Sequence, residues 1–405
     1  MGVVTPRFSS SIQIISGLPF SEMTALFSPI EIRGMRARNR VVIPPMQQST
    51  GVHGMATDWH LAHLARFAMG GAGIVFVEST AVEERGRNTH GDVGLWKDEH
   101  MAPLARIADA IRRDGAVAAI QLGHTGRKAG MQTSWEGHGP LTDADAARGQ
   151  PAWPVVAPSP IAMGPGWPTP QVLETADVEQ LVRRWGEAAR RAREAGFDAL
   201  EVHGAHGYLI HQFLSPVTNQ RSDVYGKHRW RFALDVAEAV RREWPDDRPL
   251  FWRVTVADVV DGGLEFDEMV SFLRALKDRG VDVVDCSSGG GIASYPTQGK
   301  SVSNNLLFRA EEAARLREAT GLHVMGVGLV IQPEVAEAYL QAGQADMIAV
   351  GREALFNPNW PVHAEMQLGA NQDYSTWPHQ YRTYLARRAA AADRLRNAAM
   401  LKSGG

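Results

Sequence analysis

The chain has 405 residues, 44% of them hydrophobic and 21% charged, with a formal net charge of −3. That balance is ordinary for a globular enzyme and offers no electrostatic footprint for nucleic acid or an anionic membrane. No apolar run approaches the ~20 residues of a membrane span, and the single cysteine, Cys286, excludes an intramolecular disulfide and a cysteine-ligated iron–sulfur cluster, so a reducing cytoplasm is the expected compartment.

Residues 1–22 carry Arg7, several serines and a short apolar patch interrupted by Gln13 and Ser16. The patch is short for the core of a targeting peptide, so residues 1–23 are expected to be an N-terminal extension, a disordered arm or a mis-assigned start rather than a targeting peptide, ahead of a folded unit that begins near Met23. From Asn39 onward, strand-like runs alternate with amphipathic helical stretches. Arg40–Ile43 predicts a first strand, ending in Pro44, Pro45 and Met46. Asp58–Met69 has helical spacing, with Asp58 as its cap. Gly73–Val77 predicts a second strand, followed by Glu78 and Ser79. A helix over Met101–Asp114 stops at Gly115, and a third strand, Val117–Leu122, runs into Gly123, His124 and Arg127.

Residues 131–175 have neither period and are rich in proline, glycine and tryptophan. Loops of this length are commonly lids or binding loops, with Trp135, Trp153 and Trp167 either packing the loop or bounding a pocket. A helix over Ala176–Ala195 leads to a fourth strand, Ala199–Val202. Beyond it lie a helix (Arg229–Trp244), a strand (Leu250–Val254), a helix (Phe266–Arg279) and a strand (Val281–Asp285) that enters Ser287 and Gly289–Gly291. A helix (Arg309–Thr320), a strand (His323–Gly326), a helix (Pro333–Ala342) and a strand (Met347–Val350) complete the series, and 369–405 form a basic tail of helical pattern. Eight strand–helix crossovers force a parallel sheet and close as a TIM barrel over 24–368.

Chemistry in such barrels sits at the strand C-termini. The fourth is the most polar: His203, His206 and Tyr208 lie within six positions, and an unpartnered polar group in a dry site costs roughly 1–3 kcal/mol. The remaining strand ends give Pro44, Pro45, Met46 and Gln47, then Ser79, Gln121, Arg253, Ser287, Gly326 with Gly328, and Gly351 with Arg352. Glycines after the last two strands suit a phosphate, and a planar cofactor with a phosphate tail, such as FMN, fits the whole rim.

Several separated motifs then acquire a meaning together: Arg38-Asn-Arg-Val-Val-Ile-Pro-Pro-Met46, Ile120-Gln-Leu-Gly-His-Thr-Gly-Arg-Lys128, Glu201-Val-His-Gly-Ala-His-Gly-Tyr-Leu209, Phe213-Leu-Ser-Pro216 and Val350-Gly-Arg-Glu353. The chain resembles the Old Yellow Enzyme family of FMN-dependent ene-reductases, in the branch of xenobiotic reductases and thermophilic-like members, over about Leu26 to Gly369. The resemblance implies tightly bound, non-covalent FMN, NAD(P)H as co-substrate, and reduction of enones, enals, maleimides or nitro compounds. It implies that His203 and His206 bind the substrate oxygen and that Tyr208, protonated at neutral pH, donates a proton to the α-carbon. Gln121 and Arg253 would meet the flavin pyrimidine edge, Pro44, Pro45, Met46 and Ser79 the isoalloxazine, and Gly326, Gly328, Gly351 and Arg352 the phosphate.

The chain departs from that branch where relatives commonly carry a cysteine and a tyrosine: here Gln47 and Ser49. Gln47 is expected to alter the flavin potential, and Ser49 to reshape the substrate wall. The loop at Asp223–Gly226 is shortened. The tail around Tyr381 and Arg382 resembles a segment that some relatives send into a neighbouring site, so a homodimer or larger homo-oligomer is expected. Alternatives stay open: a desaturase or amine demethylase on the same scaffold, or, more remotely, a metal-dependent barrel hydrolase in which His124 or Asp258 joins the histidine pair, although no metal is expected. His60, His63 and Arg66 are expected to be structural or at the rim, and Cys286 to be packing.

Overall fold

The computed structural model describes residues 24–258, 260–287 and 310–403. The expected extension at 1–23 and the glycine run Gly289–Gly291 lie outside them. Eight parallel strands close into a barrel in chain order: β1 (Val41–Ile43), β2 (Ile74–Ala81), β3 (Val117–Gly123), β4 (Ala199–Gly204), β5 (Leu250–Thr255), β6 (Val283–Ser287), β7 (His323–Val327) and β8 (Met347–Ala349), with Ile348 paired to Val41 across the seam. The outer helices follow strand by strand: α1 (Asp58–Met69), α2 (Met101–Arg113), α3 (Thr175–Glu194), α4 (Arg231–Glu243), α5 (Phe266–Lys277), α6 (Ala310–Thr320), α7 (Pro333–Gln341) and α8 (Trp360–Gln367). None of the described helices is long and apolar enough to cross a membrane.

The strands are buried on both faces because each separates two cores. One core lies between strands and helices, where α2 presents Leu104, Ile107, Ala108 and Ile111 at helical spacing and α3 presents Leu181, Trp185, Ala188 and Ala192. The other fills the barrel with Val42, Ile74, Phe76, Ala119, Ala199, Phe251, Val283, Met325 and Met347. There the Phe76 and Phe251 rings meet edge to face at 5.5 Å. The sequence reading missed what closes this interior: a hairpin of Ile30–Ile32 and Met35–Ala37, whose Ile30, Ile32, Met35 and Ala37 join the barrel core. The hairpin is tied down by Arg33, which reaches both carboxylate oxygens of Asp282 at 2.8 Å.

Several boundaries differ from expectation for local reasons. Thr57, not Asp58, caps α1, in a reciprocal capping box with His60. β2 continues past Val77 to Ala81 through a register irregularity between Val77 and Ser79, which re-aims the side chains there as a bulge does. β6 lies two residues later than predicted and so carries Ser287 on its end. The long connection after β3 contains a short helix, Asp143–Ala147, and a two-residue ladder between Val156–Ala157 and Gln171–Val172. In that connection Trp135 is exposed, whereas Trp153 stacks on Arg87 and donates to the Arg85 carbonyl. The tail is a helix, His379–Ser403.

Phe251 tests the interior core. Phe251→Ala should lower stability by about 3–5 kcal/mol in urea unfolding; a loss below about 1 kcal/mol would show that this layer does not hold the barrel closed.

Candidate active site

β4 carries its apolar run into the barrel and ends at His203 and Gly204. Gly204 is required there: a Cβ would lie 2.4 Å from Trp252 Nε1 and 3.0 Å from the Arg253 carbonyl. The chain then turns through left-handed backbone at His206 (φ 59) and Gly207 (φ 66). For a non-glycine residue that conformation costs roughly 1–2 kcal/mol, and three bonds hold it. His206 N–H donates to Thr255 Oγ1 at 2.9 Å, Gly207 N–H to His211 Nδ1 at 2.8 Å, and Lys128 Nζ to the His206 carbonyl at 2.7 Å. The turn delivers Tyr208 to the start of the helix Leu209–Leu214, with its ring centroid 4.7 Å from that of His203 and 6.3 Å from that of His206.

The hydrogen bonds assign the imidazole tautomers. Ala205 N–H donates to His203 Nδ1 at 3.2 Å, so the ring proton of His203 sits on Nε2. That N–H faces His206 Nδ1 at 3.2 Å, which leaves the His206 proton on Nε2, directed at Ser287 Oγ. Burial, followed by the Arg253 guanidinium, holds both rings well below the ordinary histidine pKa, so they are neutral at neutral pH. Two Nε2–H donors thus stand side by side, spent on an imidazole nitrogen and a serine hydroxyl. Lys128 beside them is pushed down to about 7, by burial and then by Arg127.

Beneath the pair lies a polar floor. Gln121 Nε2 donates to Glu201 Oε1 at 2.7 Å, Arg253 Nε lies 3.0 Å from Asp285 Oδ2, and Arg253 Nη2 donates to Ser287 Oγ at 3.3 Å. Ser79 belongs to the same region: a Cβ on Gly123 would sit 2.3 Å from Ser79 Oγ and 3.7 Å from His203 Cβ. On the other side, β8 meets β1, where a Cβ on Gly351 would lie 3.5 Å from Pro44 Cγ and 3.8 Å from Met46 Sδ. Pro45 adjoins this contact, and Gly326, Gly328 and Arg352 stand on the neighbouring β7 and β8 ends. Gln47, next to Met46, is exposed, and Ser49 has left-handed backbone (φ 50). Gln48 between them ties this segment to β2 by donating its N–H to Glu78 Oε2 at 2.7 Å.

The sequence reading placed Ser287 among the strand ends but missed Lys128, Glu201, Thr255, Asp285 and Glu78. Glu201 and Asp285 had a visible signal, since each interrupts an otherwise apolar strand. The two groups that could have completed a metal set are engaged elsewhere: His124 Nε2 with Glu83 at 2.8 Å, and Asp258 with His211 Nε2 at 2.9 Å. His60 serves the α1 cap, His63 packs edge-on against Phe67 at 4.9 Å, and Cys286 is buried in the outer core.

Burial sets a pH dependence. His63 and His100 are pushed down to about 4 and His124 to about 3, chiefly by burial, alongside His203 and His206. Such a group binds fewer protons folded than unfolded once the pH drops below its unfolded value of about 6.5. Stability is therefore complete above that value and falls as pH descends toward the folded values, by up to ~1.4 kcal/mol per pH unit per histidine. Urea midpoints should decline from pH 6.5 to 5, and His124→Gln should flatten the slope. A flat profile in the parent chain would contradict neutral burial.

Residues 25–371 match the family described as NADH:flavin oxidoreductase / NADH oxidase. The chain is 36% identical to the NADPH dehydrogenase of Bacillus subtilis (strain 168) over 352 residues, covering 85% of this chain and 95% of that protein. It is 37% identical to the NADPH dehydrogenase of Listeria monocytogenes serotype 4b (strain CLIP80459), covering 86% and 96%. Among solved structures, morphinone reductase superposes with a TM-score of 0.69 at 25% identity, covering 88% of this chain and 93% of that one. Its complex with tetrahydroNAD gives a TM-score of 0.67 at 26% identity, covering 87% and 94%. The closed parallel barrel, the strand-end motifs and these matches lead to one conclusion: the chain belongs to the NADH:flavin oxidoreductase / NADH oxidase family, the Old Yellow Enzyme family, in its xenobiotic-reductase and thermophilic-like branch.

Proposed function

We propose that this protein reduces carbon–carbon double bonds conjugated to a carbonyl or nitro group. Family membership carries the coarser statement that it is an NAD(P)H-dependent FMN oxidoreductase. The observation that carries the finer one is the neutral His203–His206 pair beside Tyr208, with two adjacent Nε2–H groups at the end of β4. When bound and reduced by NAD(P)H, FMN would supply the hydride that the substrate β-carbon takes up.

The protein's own part is positional and electrostatic. The two imidazoles turn their N–H groups from their present partners to the substrate oxygen as charge develops there, and a donor of that kind is worth roughly 2.7–4 kcal/mol. Neutrality suits them to this role, because burial and Arg253 keep each ring a donor through one nitrogen only. Tyr208, held by the turn they share, gives its phenolic proton to the α-carbon. For the cofactor, Gln121 and Arg253 offer donors on the floor, and Pro44, Pro45, Met46 and Ser79 offer an apolar or small surface. Gly326, Gly328, Gly351 and Arg352 would grip the phosphate, and Gln47 and Ser49 would form the far wall of the substrate pocket. A cytoplasmic homo-oligomer belongs to the same proposal; Tyr381, 48% exposed on the tail helix, is accessible to a neighbour.

Anaerobic half-reactions with NADPH and then 2-cyclohexenone test the proposal. Tyr208→Phe should leave flavin reduction unchanged and slow reoxidation by the enone by roughly 10²–10⁴. A yellow holoenzyme that NADPH reduces but no activated alkene reoxidises would overturn it. Replacing Gln47 with cysteine should move the flavin midpoint potential; an unmoved potential would remove Gln47 from the flavin's surroundings.

A further inference from the structure

We infer that Glu201 and Asp285 act as a buried carboxyl pair holding a single proton, and that this pair sets how much of the Arg253 positive charge is presented to the flavin. The inference rests on the flavin reading above and names two positioning residues for it.

The geometry is a count of charges in a dry place. Glu201 on β4 and Asp285 on β6 flank Arg253 on β5, and both carboxyl groups are fully buried. Asp285 Oδ2 lies 3.0 Å from Arg253 Nε as an ion pair without a hydrogen bond between the two atoms. Among the described residues, Arg253 Nε, both Asp285 oxygens and Glu201 Oε2 lack a hydrogen-bond partner. Glu201 Oε1 is satisfied by Gln121 Nε2 at 2.7 Å. One guanidinium therefore serves two carboxyl groups, and ionising both would bury an uncompensated negative charge, which a protein avoids by taking up a proton.

Placement decides which carboxyl takes it. Asp285 has the ion pair with Arg253; Glu201 has only an amide donor. Burial and then the Asp285 charge push Glu201 well above the usual carboxylate range, against a smaller pull from Arg253. Burial also raises Asp285, with Arg253 opposing. The other titratable groups facing the pair do not supply the missing charge. His203 and His206 are neutral, Lys128 is pushed down to about 7 and bonded to the His206 carbonyl, and Cys286, the neighbour of Asp285, belongs to the outer core. The pair thus offsets Arg253 with one negative charge, and the proton on Glu201 keeps it at one. Reduced flavin is the more negative form, so the residual positive charge of Arg253 determines how strongly reduction is favoured.

Two variants separate the roles. Glu201→Gln copies the protonated acid and keeps an acceptor for Gln121, so the midpoint potential at pH 7 should stay where it is. Asp285→Asn combined with Glu201→Gln, so that Glu201 cannot ionise in its place, leaves Arg253 unopposed, and reduced FMN should be bound about tenfold tighter relative to oxidised FMN, a rise of ~30 mV for a two-electron couple. Dye-equilibration titrations of the holoenzyme, without substrate, read this directly. Infrared spectra of the parent chain give a second readout that does not require Asp285→Asn to fold: at pH 7 a carboxylic-acid carbonyl band should be present, and it should vanish in Glu201→Gln. An unmoved potential in the Glu201→Gln, Asp285→Asn double variant, or no such band in the parent chain, overturns the inference. Failure to bind FMN at all would instead overturn the flavin reading on which it rests.

Discussion

The left-handed backbone at His206 is the constraint on which the site depends. Without it, β4 would run on and its two histidines would point to opposite faces, since side chains alternate along a strand. With it, Nε2 of His203 and Nδ1 of His206 come within 3.2 Å and Tyr208 arrives beside them. The conformation is unfavourable for histidine, so neighbours must impose it. Here the neighbours are Thr255 from the end of β5, Lys128 from the turn after β3, and His211 from the following short helix. The corner is thus held by groups after β3 and at the end of β5 together with the short helix that follows it.

The same corner fixes the electrostatics. Lifting two imidazoles, a lysine and an arginine out of water would be prohibitive if all were charged. The structure meets this by keeping the histidines neutral, lowering Lys128, and giving Arg253 its counter-charge from Asp285 below. Hydrogen-bond direction follows from neutrality: each ring accepts at one nitrogen and donates at the other, from Ala205 through His203 and His206 to Ser287.

Much of this was legible in the sequence because strand ends are legible. Alternating strand and helix signals gave the barrel, and the strand-end rule then gathered His203, His206, Tyr208, Gln121 and Arg253 from separate segments. What was not legible has physical reasons. The hairpin at Ile30–Ile32 and Met35–Ala37 has strands of three residues, too short to show a period. The bounds of β6 were not legible either: the strand starts two residues later than its apolar run suggested, and Ser287, read as a strand-end residue, lies within it. Lys128 and Thr255 act through one backbone atom each, a contact that exists only once the chain has folded. Glu201 and Asp285 stood out as charges within apolar strands, but their shared arginine is a relation across β4, β5 and β6 that no local pattern contains.

Everything proposed for catalysis turns on whether the two Nε2–H groups bind the oxygen of an activated alkene. A crystal structure of the FMN-loaded enzyme with 2-cyclohexenone, or a non-reacting analogue, measures this directly. The carbonyl oxygen should lie at about 2.7–3.1 Å from both His203 Nε2 and His206 Nε2, with the His206–Ser287 contact broken. A ligand whose oxygen lies elsewhere, while the two histidines remain bonded to each other and to Ser287, would contradict that role.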